Sequence, residues 1–121
     1  MRYMLLCYDD ERVWAEAGDA ALREAIQEAV ELTHELDARG QYLSAAPLQP
    51  VSTATCVRVR DGKPIVTDGP FAETREVLGG YYLIDVDSLD EAISIAARHS
   101  GARVGTVEVR PILEIPGLPG S

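Results

Sequence analysis

Sulfur and bulky aromatic chemistry are scarce in this chain: two Cys, one Trp and one Phe in 121 residues. Cys7 and Cys56 lie far apart and form no CxxC pair, so they read as free thiols of a reducing compartment. Two Cys and two His at unrelated positions offer too few ligands for a structural metal, and no cofactor is expected. Cations are few as well, 11 Lys and Arg against 20 Asp and Glu, for a net charge of −9. Nucleic acid and anionic lipid surfaces both demand cationic stripes, so neither is expected as a partner. The acidic excess serves solubility. No apolar run approaches the roughly 20 residues of a membrane span. The stretch Met1–Tyr8 is too short for a signal peptide and meets Asp9-Asp10-Glu11 at once. A first strand and a cytoplasmic location are the expectation. Also missing are a phosphate-cradling glycine loop, a nucleophile elbow around Ser44 or Ser52, and any repeat beyond an αβ duplication.

What remains is the pattern of one ordinary domain. Arg2–Tyr8 is apolar on both alternating faces, Tyr3, Leu5 and Cys7 on one and Met4, Leu6 and Tyr8 on the other. Such a strand is covered on both sides. Glu11–Gly18 reads as a helical turn or loop carrying Trp14. From Asp19 to Arg39 the apolar positions Leu22, Ile26, Ala29, Val30, Thr33 and Leu36 recur at helical spacing, with Asp19 as N-cap and Gly40 as stop. Gln41–Ala45 reads as a short strand, and Pro47 and Pro50 bracket a loop. Thr53–Arg60 and Lys63–Thr67 form a hairpin across Asp61-Gly62. Asp68-Gly69-Pro70-Phe71 is a turn cluster, and Tyr81–Val86 a further strand. Ser88-Leu89-Asp90-Glu91 is a capping box for a helix to Ser100 whose apolar face is Leu89, Ala92, Ile93, Ala96 and Ala97. Gly101 ends it, and Val104–Arg110 is the last strand. The domain spans 1–113, and 114–121 is a loosely held Gly/Pro tail.

This order predicts an α+β fold, a split βαβ (ferredoxin-like) antiparallel sheet with an extra hairpin and two helices on one face. The other sheet face is then bare in a monomer. A partner subunit stacked on it, giving a homodimer, is the simplest cover for the second side of Arg2–Tyr8.

The string Val66-Thr67-Asp68-Gly69-Pro70-Phe71-Ala72-Glu73-Thr74-Arg75-Glu76, with Leu78-Gly79-Gly80-Tyr81-Tyr82-Leu83-Ile84 after it, resembles the hallmark of the DGPF family within the YCII-related group. Asp85–Ala92 and Gly105–Pro111 resemble its C-terminal half. The resemblance implies a ferredoxin-like fold that dimerises as an α+β barrel. It implies little about activity: most members lack an assigned reaction, and many are encoded near alternative sigma factors. In the YCII branch a helix His and an Asp are the suspected catalytic pair. Counted back from Gly40, that His position here holds Ala29, and His34 is not its equivalent.

Asp68 and His34 are the candidate catalytic residues. Asp68 reads either as a general base beside a Gly-Pro turn or as a turn residue capping its own backbone. His34 flanks the apolar stripe of the long helix and titrates near neutrality. His99 reads as a complement to its helix dipole. Phe71, Arg58, Arg75 and Tyr82 are the candidate ligand-binding residues: a wall, two cations able to grip a carboxylate or phosphate, and a hydroxyl. Packing or ion pairing is the competing role for each. The function expected is binding of a small organic molecule, with possible acid/base catalysis, in a cleft near Asp68, Phe71 and His34. The alternative is a regulatory or interaction protein linked to sigma-factor-type transcription control. A catalyst requires a perturbed, partnered carboxylate or His in a pocket; an interaction module requires a further exposed apolar patch.

Overall fold

Strand β1 (Arg2–Asp9) is the centre of the sheet, and its burial alternates residue by residue. Tyr3, Leu5 and Cys7 are buried, while Met4, Leu6 and Tyr8 are only half-buried on the opposite face. The structure is a computed structural model and describes residues 1–119. The remaining elements are α1 (Glu11–Ala17), α2 (Asp19–Ala38), β2 (Tyr42–Pro47), a 3-10 turn (Val51–Thr53), β3 (Thr55–Arg60), β4 (Lys63–Asp68), β5 (Val77–Asp85), α3 (Leu89–Arg98), α4 (Gly101–Val104) and β6 (Thr106–Pro111).

The fold is mixed α+β. A four-stranded antiparallel sheet runs in the order β2-β5-β1-β6, and β3 and β4 form a separate two-stranded sheet. Among the described residues these sheets close into no barrel. The core joins Tyr3, Leu5, Cys7, Tyr82 and Ile84 of the sheet to Leu32 and Leu36 of α2 and Ala92, Ile95 and Ala96 of α3. Both long helices therefore pack on one sheet face, α2 through its C-terminal half. No helix is long and apolar enough to cross a membrane among the described residues.

Several boundaries differ from expectation, each for a local reason. Glu11–Ala17 is a full helix because the Asp10 carboxylate accepts the Arg12 amide at 3.0 Å and caps it. The N-cap of α2 is consequently Gly18, not Asp19. Strand β2 runs on through Pro47, which an edge strand tolerates. Strand β5 starts at Val77, through Gly79-Gly80, because β1 pairs with its first residues, Asp9 with Val77 and Tyr8 with Leu78, and β2 runs close beside Gly80. A Cβ on Gly80 would meet the Ala46 carbonyl at 2.9 Å. Ser88 caps α3 as expected, accepting the Glu91 amide at 3.2 Å, but Ile95 rather than Ile93 enters the core. Helix α3 ends at Arg98, and Gly101 opens the short α4 instead of ending a helix.

The β3–β4 hairpin turns through Asp61 and Gly62, both at positive φ, as a two-residue hairpin turn requires. Its residues are exposed on both sides, Cys56 excepted. Past β6 the chain stays attached to β1: the Ile112 amide bonds the Arg2 carbonyl at 3.0 Å, and Glu114, the first residue of the expected tail 114–121, pairs with Arg2. Its last two residues, 120 and 121, lie outside the described ones.

Gly105 links α4 to β6 where the chain crosses the end of β1. A Cβ there would stand 2.1 Å from the Tyr8 carbonyl, a backbone atom that cannot swing aside. Gly105→Ala is expected to destabilise the fold by roughly 1–3 kcal/mol, the range for overpacking, measured by urea unfolding. An unchanged midpoint would contradict this packing.

Candidate functional site

The N-terminal half of α2 does not close onto the sheet. Leu22, Ile26 and Val30 carry its apolar stripe, yet remain 40%, 54% and 44% exposed. Beneath them, between α1, α2 and strands β2 and β5, lies a cavity of ≈ 740 Å³, within the size range of small-molecule sites. Most of its wall is apolar: Leu22, Ile26 and Val30 on the helix side, Ala45, Ala46 and Pro47 on the sheet side.

Polar groups gather at one end. Asp9 terminates β1, and its carboxylate accepts the Trp14 indole N–H at 2.6 Å. Helix α1 starts directly after β1, so Trp14 returns over the strand end one turn later. Gly79 lies beside this carboxylate, where a Cβ would sit 3.4 Å from it in ordinary contact. His99 follows the last residue of α3, where its Nδ1 accepts the Gly101 amide at 2.9 Å. That bond assigns the neutral ring a proton on Nε2. The His99 ring stands edge-on to Tyr82, centroids 5.4 Å apart, and the Tyr82 hydroxyl lies 3.5 Å from the Ala29 carbonyl.

Burial governs the titration of these groups. It lowers the pKa of His99 below the usual 6.5, with Arg103 adding to the shift and Asp9 and Glu28 opposing it. His99 is thus a neutral imidazole at pH 7, which corrects its reading as a charged helix-dipole complement. Burial likewise pushes the Cys7 thiol up to about 11, helped by the Asp9 charge, so this thiol is neutral and poorly nucleophilic. Tyr82 is raised mainly by burial. The cavity end therefore holds one carboxylate among neutral donors and acceptors. Among the described residues, no group of three His, Cys, Asp or Glu side chains is placed to hold a metal ion.

The residues singled out in the sequence divide between places. Tyr82 lines this cavity. Arg58, Asp68 and Phe71 meet around a second hollow of ≈ 440 Å³ at the base of the β3–β4 hairpin. Asp68 is exposed, and among the described residues no protein group bonds its carboxylate. Its neighbour Gly69 holds the turn, at φ +87°, donating to the Ala54 carbonyl at 2.7 Å and accepting the Cys56 thiol at 3.2 Å. His34 is exposed on α2 and lines neither hollow, so the structure does not bring it to Asp68 and Phe71. Arg75 is exposed near Asp10, whose carboxyl it helps Arg12 hold low. Asp9, Trp14 and His99 were not singled out as a site. Their one sequence signal was an acidic strand end followed five residues later by the single Trp.

The YCII-related domain family matches residues 1–116. The chain belongs to that family. It is also 39% identical over 117 residues to an uncharacterised protein of Rhizobium meliloti (strain 1021), covering 93% of this chain and 92% of the relative. Ala29, counted as the position of the helix His in the YCII branch, lines the large cavity. His99, from another element, lines the same cavity.

The linkage of His99 is directional. Its folded pKa lies below the unfolded value, so the unfolded chain binds the proton more readily as pH falls past about 6.5. The stability it contributes is complete above that pH and is lost below it, down to the folded pKa. Unfolding midpoints are expected to drop between pH 7 and pH 5, and more shallowly in His99→Gln. An identical slope in the variant would show that His99 is not the group responsible.

Proposed function

We propose that the cavity beneath α2 binds a small, largely apolar organic molecule, with Asp9 as acceptor or general base and the His99 Nε2–H as donor at its polar end. The observation that carries this is the pairing of a partly unfilled apolar chamber with a carboxylate and a half-buried neutral imidazole at one end. Proton transfer needs no more than these groups: Asp9 takes a proton from the ligand, and His99 donates a hydrogen bond to the oxygen or nitrogen that gains negative charge. His99 stands in for the helix His that Ala29 replaces.

Further parts of the reading rest on the sheet. The order β2-β5-β1-β6 with both long helices on one face supports a ferredoxin-like fold, and the Asp68-Gly69-Pro70-Phe71 turn supports the DGPF branch. Met4, Leu6, Tyr8 and Leu83 share the helix-free face and are half-buried, which supports stacking of a second copy there as a homodimer. Two unpaired thiols fit a reducing compartment such as the cytoplasm.

A second reading, an interaction module, draws on the hairpin. Val57, Val59 and Val66 are 63%, 61% and 62% exposed, and Phe71 76%. In the register Val57 faces Val66 and Val59 faces Pro64, so one hairpin face is continuously apolar. Asp68, opposite Thr55, then belongs to that surface, while Arg58, opposite Ile65, lies on the other face of the hairpin.

Trp14 is the single Trp and lies in the cavity wall, so its emission reports occupancy directly. A screen of small organic molecules is expected to find ligands that change it. Asp9→Asn is expected to weaken them at least tenfold, the cost of losing a charged hydrogen-bond partner, while Asp68→Asn leaves affinity unchanged. Weakening by Asp68→Asn alone would move the site to the hairpin. Light scattering at micromolar concentration is expected to give the mass of a dimer; a monomer mass would remove the stacked-sheet reading.

A further inference from the structure

The charge carried by the cavity wall is one-sided. Asp9, Glu11 and Asp19 all line it, and among the described residues no Lys or Arg does. Nearby cations are engaged elsewhere: Arg12 chelates Asp10 outside the chamber, and Arg103 pairs with Glu28 at 2.7 Å. His99, the remaining titratable base at the wall, is held neutral by its buried setting. Glu11 and Asp19 open α1 and α2, where each helix end offers about half a positive charge. The negative end of α1 abuts the start of α2, so these helix ends offset the three carboxylates only in part and the chamber wall stays net negative. The Glu11 carboxylate also accepts the Val51 amide at 2.9 Å, which fixes it against the turn after β2.

A carboxylate or phosphate ligand would enter this space without a single cationic partner and would face like charges at its rim. A protonated amine meets the opposite situation. Asp9 offers an ion-pair partner, and the rings of Trp14, Tyr42 and Tyr82 offer π surfaces to a cation. Behind them the stripe of Leu22, Ile26 and Val30 takes an apolar body.

We infer that the cavity beneath α2 is selective for cationic amphiphiles, small amines or ammonium compounds with an apolar body, and rejects organic anions of the same shape. This rests on the reading of the cavity as a ligand site and names the class of molecule it takes.

Three isosteric probes test it: 4-phenylbutylamine, 4-phenylbutanol and 4-phenylbutyrate, titrated by Trp14 fluorescence and calorimetry at pH 7 and two salt concentrations. The amine is expected to bind at least tenfold tighter than the carboxylate, with the alcohol between, and added salt should narrow the gap. Asp9→Asn should cut the amine's advantage while sparing the alcohol. Glu11→Gln with Asp19→Asn, both at exposed positions, should narrow it with the fold intact by circular dichroism. Ala29→Leu, which fills the chamber, should weaken all three. If the three probes bind alike, or the carboxylate binds best, and Ala29→Leu still weakens them, the charge selectivity is wrong and the ligand site stands. If no probe binds, or Ala29→Leu changes nothing, the ligand site itself falls and the selectivity with it.

Discussion

Strand β1 sits between two antiparallel neighbours, and its two-residue period decides what every other layer meets. On one side Tyr3, Leu5 and Cys7 receive the stripes of α2 and α3. On the other, Met4, Leu6 and Tyr8 face away from the helices. A slip of one residue would exchange these sets and put Arg2 and Met4 under the helices. At its C-terminal end the strand delivers Asp9 to the rim of the helix layer, and at that point the chain can no longer pack tightly.

The cavity follows from how the helices share that face. The core residues of α2 are Leu32 and Leu36, in its C-terminal half, where α3 lies alongside. Arg98 pairs with Glu35 and Arg103 with Glu28, so the polar side of α2 is fastened to α3 and α4. Towards its N-terminus α2 has only the short α1 for company, and the small residues Ala45 and Ala46 of β2 leave space beneath it. Into that space project Asp9 at the end of β1, Trp14 from the middle of α1, and His99 after α3. Burial does the rest by making the imidazole and the thiol neutral while the carboxylate stays near the indole donor.

The hairpin is the opposite case. Its turn chemistry is strong and its ladder regular, but it carries apolar side chains into solvent instead of into the core. An isolated two-stranded sheet is marginal in water. Gly69, bonded through both its amide and its carbonyl, ties the base of the hairpin down. Within the Asp68-Gly69-Pro70-Phe71 string, Gly69 thus closes the base of the hairpin through its backbone.

Local chemistry was legible in the sequence wherever one element's own residues decide it: the alternation of β1, the stripe of α2, the Ser88 cap and the Asp61-Gly62 turn. The family was legible in the ordered string around Asp68. Partnering between elements was not. The strand reads as starting at Tyr81, after Gly79-Gly80, until β1 and β2 are known to pair beside those glycines, and Gly101 reads as a stop until His99 is seen to bond its amide. Periodicity gives Ile93 and Ile95 nearly equal claims on the core, and only the seat of α3 on the sheet chose Ile95. The stripe of Leu22, Ile26 and Val30 announced a packed face, and tertiary structure left it over a chamber. The polar end of that chamber joins Asp9, Trp14 and His99 across as many as 90 positions of sequence. No spacing rule reaches that far, because the contact exists only once β1, α1 and the end of α3 meet at one corner of the sheet.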